Sequence, residues 1–127
     1  MADKYNLGTV GGGMIIKELF SGSVGSLTSA GAGKITLNDN ITNYKFLIFD
    51  FYCSDGGMGK RYYSRFISVQ QFTNFFNSAD TASTTMSFNW GYGNLTDYFD
   101  ILYNGTTTKV LNIIYNYTQC LRILGIN

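Results

Sequence analysis

The chain of 127 residues has the usual length of one domain, and its formal net charge of +1 argues against nucleic acid, which is bound mainly through an excess of Lys and Arg. Histidine is absent, which excludes imidazole-based catalytic triads and zinc sites that need histidine ligands. Charged residues make up 13% of the chain, about half the usual share, whereas 10 Phe, 10 Tyr and 1 Trp make it rich in aromatic residues.

The chain begins with residues 1–13, which end in three consecutive glycines and are predicted to be a flexible lead-in. Residues 14–127 are predicted to form one domain. Here short β-branched and aromatic runs are separated by Gly, Asn, Asp, Ser and Thr, which is typical of strands and turns. Residues 21–33 are small and rich in Gly and Ser, and are predicted to be a loop. The predicted strands are 14–20, 34–37, 44–53, 60–69, 84–90, 98–103, 109–117 and 119–126.

Residues 70–77 fit a helical turn as well as a strand, because their three phenylalanines match both periods. All other runs favour strands. About eight short strands at this spacing are typical of all-β sandwiches and barrels, so we expect an antiparallel β-sandwich with almost no helix.

The predicted strand 44–53 is apolar on both faces apart from Lys45 and Asp50. A sheet with one solvent-exposed face shows a cleaner alternation of apolar and polar residues. We therefore expect a second cover on this strand, either a loop or a neighbouring subunit. The low charge content favours the subunit, and hence self-association.

Two short patterns are consistent with ordinary turns and surfaces. Residues 55–60 lack the first glycine of a phosphate-binding loop and are predicted to be a hairpin turn. Residues 60–65 mix basic residues with tyrosines, as surfaces that bind single-stranded nucleic acid do, but a solvated sheet face has the same composition and is the favoured interpretation. Cys53 and Cys120 are expected to be reduced, buried thiols without a function. We expect no catalytic residues, no metal and no cofactor.

The stretch from residue 89 to residue 98 is the best candidate for a binding site. It combines aromatic rings, glycines that allow sharp bends, and amide and carboxylate groups, and these are the groups that bind sugars. The alternative is a strand end with a buried Trp and a Gly/Asn turn. The candidate ligand-binding residues are Trp90, Tyr92, Asn94 and Asp97, with Arg61 and Tyr62 as neighbours.

Several segments together resemble tail-fibre and receptor-binding modules of bacteriophages and prophages. The resemblance lies in residues 19–26, in the order Ile-Thr-Leu, turn, Asn-Tyr-Lys and apolar strand within 34–49, in Tyr-Tyr-Ser at 62–64, and in Cys-Leu-Arg-Ile-Leu-Gly-Ile at 120–126. It implies a jelly-roll-like β-sandwich, commonly a homotrimer, that ends a tail appendage and contacts the host surface. It implies no particular binding residues.

The resulting expectation is a non-catalytic module that attaches to the host surface, through carbohydrate, beside other tail proteins of the virion. A structural virion component without ligand binding is one alternative, such as a collar, tail-tip or decoration protein. A glycan-processing enzyme is another, with Asp97 and Asp100 as the first carboxylate pair to inspect. The first residues contain no apolar run, so we expect no signal peptide, and no apolar run in the chain approaches the length of a membrane span, so we expect no membrane insertion. The resemblance implies a place in the virion tail, assembled in the cytoplasm of the bacterial host.

Overall fold

A computed structural model describes residues 6–10, 14–54, 59–78, 85–92 and 95–127. The elements in chain order are β1 (Asn6–Val10), β2 (Met14–Thr36), a 3-10 turn (Ile41–Asn43), β3 (Phe46–Cys53), β4 (Arg61–Ser68), α1 (Val69–Ser78), β5 (Thr85–Tyr92), β6 (Leu95–Leu102) and β7 (Val110–Ile126). The prediction of an all-β protein is confirmed. In the described ranges, no helix is long and apolar enough to span a membrane.

The described strands form a single antiparallel sheet of seven strands, in the order β1-β2-β7-β3-β4, with β6 attached to β7 and β5 to β6. Strand β7 changes its neighbour halfway. Its first part pairs with β6, and its second part pairs with β3, while β2 follows it along its whole length. The two long strands therefore belong to two halves of the sheet.

The change of neighbour occurs at a local irregularity in both long strands. Tyr117 has a φ of 53° and Gly25 has a φ of 120°. Gly25 pairs with Gln119, and Ser26 pairs with Thr118, so the two irregular residues lie close together on adjacent strands. Positive φ departs from regular strand geometry, which lets both strands change direction at this point.

The core lies between the inner faces of the two halves. Phe51 of β3 has its ring centre 5.3 Å from that of Phe88 on β5 and 5.1 Å from that of Phe99 on β6. Phe49 lies 5.2 Å from Phe88. The halves therefore pack face to face through aromatic side chains, although hydrogen bonds join them into one sheet. The eight-strand jelly-roll-like sandwich predicted from the sequence is not confirmed.

Two segments differ from their predictions. Residues 6–10, placed in the flexible lead-in 1–13, form a strand paired with the start of β2. Residues 21–33, predicted to be a loop, continue β2 through pairs with β7, interrupted by register shifts. Small residues have a low strand propensity, but backbone hydrogen bonds to a neighbouring strand override it. The ambiguous residues 70–77 lie in α1.

Candidate functional site

The structure places Trp90 in the core. Only 5% of its surface is exposed, and its ring centre lies 4.8 Å from Phe51 and 5.3 Å from Tyr63. The Arg65 guanidinium lies 5.1 Å from the indole centre. This is the strand-end alternative of the sequence analysis, and it removes Trp90 from the site because a buried indole cannot stack on a ligand. The nearby Gly91 and Gly93 favoured an exposed ring, but the strand pairing turns the ring of Trp90 inward.

Asp97 is also buried, with 2% of its surface exposed. It lies opposite Trp90 in the pairing of β5 and β6, and Ser54 Oγ donates to its Oδ2 at 3.1 Å. A buried carboxylate is held by such bonds and does not contact a ligand at the surface. The side chain of Tyr92 and all of Asn94 lie outside the described residues.

The carboxylate pair considered for an enzyme does not converge. Asp97 and Asp100 are three residues apart on β6, so they lie on opposite faces of the sheet. Asp97 lies on the inner face, whereas Asp100 accepts a hydrogen bond from Ser87 on the outer face. Burial raises the pKa of Asp100. Because the sheet separates the two carboxyl groups, this pair cannot act on one glycosidic bond.

Of the predicted site residues, Arg61 and Tyr62 lie at the surface, and Tyr62 belongs to a continuous face of β3 and β4. Residues directly opposite each other in an antiparallel pair share a face. On this face each β3 residue pairs with a β4 residue: Phe46 with Ser68, Ile48 with Phe66, Asp50 with Ser64, and Tyr52 with Tyr62. We call these eight residues, together with Arg122 of β7, the outer β3–β4 face. The alternate β3 residues, including Phe49 and Phe51, are fully buried on the inner side.

Two stacked aromatic pairs lie at the ends of the outer β3–β4 face. Tyr52 and Tyr62 have ring centres 4.4 Å apart with an angle of 6° between their planes, and Tyr62 is 73% exposed. Phe46 and Phe66 have ring centres 4.9 Å apart, and Phe66 is 62% exposed. Contiguous exposed apolar groups are typical of interaction surfaces. Both pairs are therefore candidate contact surfaces.

A polar group lies between the two aromatic pairs. Arg122 Nε donates to Asp50 Oδ2 at 2.9 Å, and Ser64 Oγ donates to Asp50 Oδ1 at 2.7 Å. The side chains of Arg122 and Asp50 are 46% and 23% exposed, so a ligand can reach both. An open cavity of about 590 Å³ is lined by these three residues together with Tyr62 and Gly22. It is an open groove on the surface of the sheet and not an enclosed pocket.

Sequence reasoning found Tyr62 but missed its neighbours on the face. The signal was present in the strand 44–53, where apolar side chains on both faces predicted a second cover. Alternation alone did not show that Asp50 meets Ser64 and Arg122, because that meeting depends on the register of three strands. The outer face found here is the face for which the sequence predicted a cover.

The two cysteine thiols lie outside the outer β3–β4 face. Cys53 and Cys120 are buried and do not form a disulfide. Burial raises the pKa of the Cys120 thiol to about 12, so this group stays protonated near neutral pH. Within the part of the chain that the structure describes, no three His, Cys, Asp or Glu side chains come together as metal ligands.

Comparison of the chain with protein-family models, with curated proteins and with solved structures finds no match. The chemistry of the outer β3–β4 face and the resemblance in the sequence therefore carry the functional interpretation.

Proposed function

We propose that this chain is a non-catalytic module of a phage or prophage tail that attaches to carbohydrate on the host surface through the outer β3–β4 face. The observation that carries the proposal is an exposed pair of stacked tyrosines beside an accessible group of Asp50, Ser64 and Arg122. The resemblance of residues 34–49 and 120–126 to tail receptor-binding modules supports the phage assignment. The virion tail, assembled in the bacterial cytoplasm, is the location that follows from it.

The chemistry of this face suits a sugar. The Tyr62 ring offers a flat apolar surface to the C–H groups of a pyranose. The carboxylate of Asp50 accepts hydrogen bonds from hydroxyl groups, and the guanidinium of Arg122 donates to hydroxyl oxygens. A shallow, partly hydrated surface of this kind binds weakly, at a millimolar dissociation constant or about 4 kcal/mol, and is strengthened by several copies acting together.

The proposal includes the two-layered, jelly-roll-like sandwich of such modules. The support for it is the face-to-face packing of the two halves of the sheet, in which the long strands β2 and β7 contribute to both layers. In this arrangement β3 and β4 present their outer face away from the core.

We further propose that the chain forms a homotrimer. The low charge content supports self-association, and so does the outer edge of β2, which has no strand partner beyond residue 17 in the described part of the chain. Unpaired edges are sites of strand pairing between chains. Light scattering at micromolar concentration should give three times the mass of one chain, and a monomer would contradict this part of the proposal.

The central test is Tyr62→Ala. We expect binding of the isolated module to a host-surface polysaccharide to weaken about tenfold, or about 1.4 kcal/mol, because the stacking surface is lost. Surface plasmon resonance on purified polysaccharide and attachment to host cells measure the effect. Because Tyr62 is mostly exposed, the melting temperature should change little.

Tyr62→Phe is the matched control, since it keeps the ring and removes only the hydroxyl group. It should bind at least half as well as the unchanged protein. Equal binding by Tyr62→Ala and the unchanged protein would refute the proposed site, and a module that binds no polysaccharide would refute the proposed function.

A structural virion component is the second candidate. The apolar end of the outer β3–β4 face favours it, because Phe66 is exposed next to Phe46 and Ile48 and suits contact with another protein. In that case, Phe66→Ala should impair assembly with other tail proteins, and free glycan should not bind. The glycan-processing alternative has lost its first carboxylate pair, as described above.

A further inference from the structure

We propose that the ligand of the outer β3–β4 face is an uncharged oligosaccharide lying along the strands, with one sugar ring on the Tyr62 platform and another on the Phe66 platform. This inference rests on the proposed carbohydrate-binding function and specifies its ligand class. It is carried by the spacing of the two platforms and by the balance of charge between them.

The first argument is length. Tyr62 and Phe66 are four residues apart on the same face of β4, which corresponds to about 13 Å along the strand. This distance exceeds the width of a single pyranose ring, so one monosaccharide cannot contact both platforms. A chain of several sugars can, and the strand direction then defines the direction of the bound chain.

The second argument is the order of chemical groups along the face. The pairing places Asp50 and Ser64 between the tyrosine pair and the phenylalanine pair, with Arg122 beside them on β7. A sugar chain has the same order of features, because apolar C–H faces alternate with hydroxyl groups. Rings stacked on the two platforms would hold the hydroxyl groups between them against Asp50 and Arg122.

The third argument is the unused hydrogen-bonding capacity at the centre. Arg122 uses Nε for Asp50, and its two terminal nitrogens have no hydrogen-bond partner among the described residues. Each oxygen of Asp50 takes one of the two bonds described above and has a second lone pair. Neighbouring hydroxyl groups can therefore donate to Asp50 while they accept from Arg122.

The fourth argument is charge. The positive charge of Arg122 is neutralised by Asp50 at 2.9 Å. Glu18 of β2 pairs with Leu124, next to Arg122 on the same side of the sheet. The centre of the face, between the two platforms, thus has no excess of positive charge, and a carboxylated or sulfated sugar unit held there would meet two carboxylates and one guanidinium. An uncharged sugar avoids this repulsion.

The test compares sugars of increasing length and of different charge. The probes are glucose, galactose and N-acetylglucosamine with their oligosaccharides, and galacturonic acid with its oligosaccharides, titrated into the full chain by isothermal calorimetry. We expect at least one neutral series to bind, with an affinity that rises about tenfold from the monosaccharide to the longer chains. The galacturonic series should bind more weakly at low salt.

Phe66→Ala provides the specific readout. It should abolish the gain of affinity with chain length, whereas Tyr62→Ala should weaken binding of the monosaccharide and of the longer chains. Near-ultraviolet circular dichroism and the melting temperature verify that each variant folds. Asn77→Ala, at an exposed residue near the end of α1 that is farther from β4, is the matched surface control and should bind every probe as the unchanged protein does.

Three results would overturn the inference while leaving carbohydrate binding intact. They are equal affinity for the monosaccharide and the longest chain, an unchanged length dependence in Phe66→Ala, and tighter binding of the galacturonic series. A change of oligomeric mass in Phe66→Ala without a change in sugar binding would also overturn it and would assign this end of the face to a second copy. Failure of every sugar to bind would refute the proposed function itself.

Discussion

Gly25→Ala is expected to destabilise the protein by about 3 kcal/mol or more. The φ of Gly25 is +120°, a conformation that residues with a side chain rarely adopt. A Cβ at this position would lie 2.2 Å from the carbonyl oxygen of Thr118 on β7, and backbone cannot move aside as a flexible side chain can. Both effects act at the point where β7 changes its neighbour, so relief of the clash would disturb the packing of both halves.

Gly33→Ala is the matched control on the same strand. Its Cβ would lie 3.5 Å from Cγ1 of Val24, which is an ordinary contact, and its φ is not in the positive range. We expect a change of less than about 1 kcal/mol. Urea unfolding followed by fluorescence measures both variants. A similar loss of stability in the two would show that the irregularity at Gly25 does not determine the fold.

Phe51→Ala is expected to lower the free energy of unfolding by about 3–5 kcal/mol. The Phe51 ring on β3 is fully buried and contacts rings of β5 and β6 in the other half of the sheet. Its neighbours are Phe88, Trp90 and Phe99, with ring centres between 4.8 and 5.3 Å away. Removing the ring leaves a cavity between the halves and loses these contacts together. Since small domains have about 5–15 kcal/mol of stability in total, this single change removes a large part of it.

Phe66→Ala makes the same chemical change on the opposite side of the sheet. Phe66 is 62% exposed and loses mainly its stacking on Phe46, so we expect a cost of about 1 kcal/mol or less. Thermal unfolding of the two variants under identical conditions gives the comparison. If Phe51→Ala left too little folded protein to measure, Phe51→Leu would keep most of the volume and allow the same test. Equal effects at the two positions would contradict the assignment of inner and outer faces.

The two faces of β3 explain why part of the site could be predicted and part could not. The sequence of this strand shows apolar residues at both alternations, which predicted a second cover on its outer side. On this side the structure has the exposed rings of Tyr62 and Phe66, and a neighbouring subunit that covers them stays a prediction. Tyr62 was predicted only as a neighbour of the binding stretch around Trp90. Asp50 and Arg122, 72 residues apart in the chain, meet only through the pairing of β3 with β7.

Trp90 was wrongly assigned to the binding site, and the reason is again that strand pairing is not visible in the local sequence. Glycines and polar residues around an aromatic ring are typical of a surface loop, and local composition favoured that interpretation. The pairing of β5 with β6 extends through Tyr92 and Leu95, so Trp90 lies within a strand and not beyond its end. Its ring points to the side on which Phe51 lies, and burial follows from that orientation.

The sequence alone determined the fold class, the positions of most strands and the absence of histidine chemistry, because these depend on local propensity and composition. Only the tertiary structure decided that residues 21–33 continue a strand, that Tyr117 and Gly25 mark the change of direction, and which aromatic rings are buried. The physical reason is that strand hydrogen bonds join residues far apart in the chain. The register of those bonds, which local sequence does not encode, assigns each side chain to the core or to the surface.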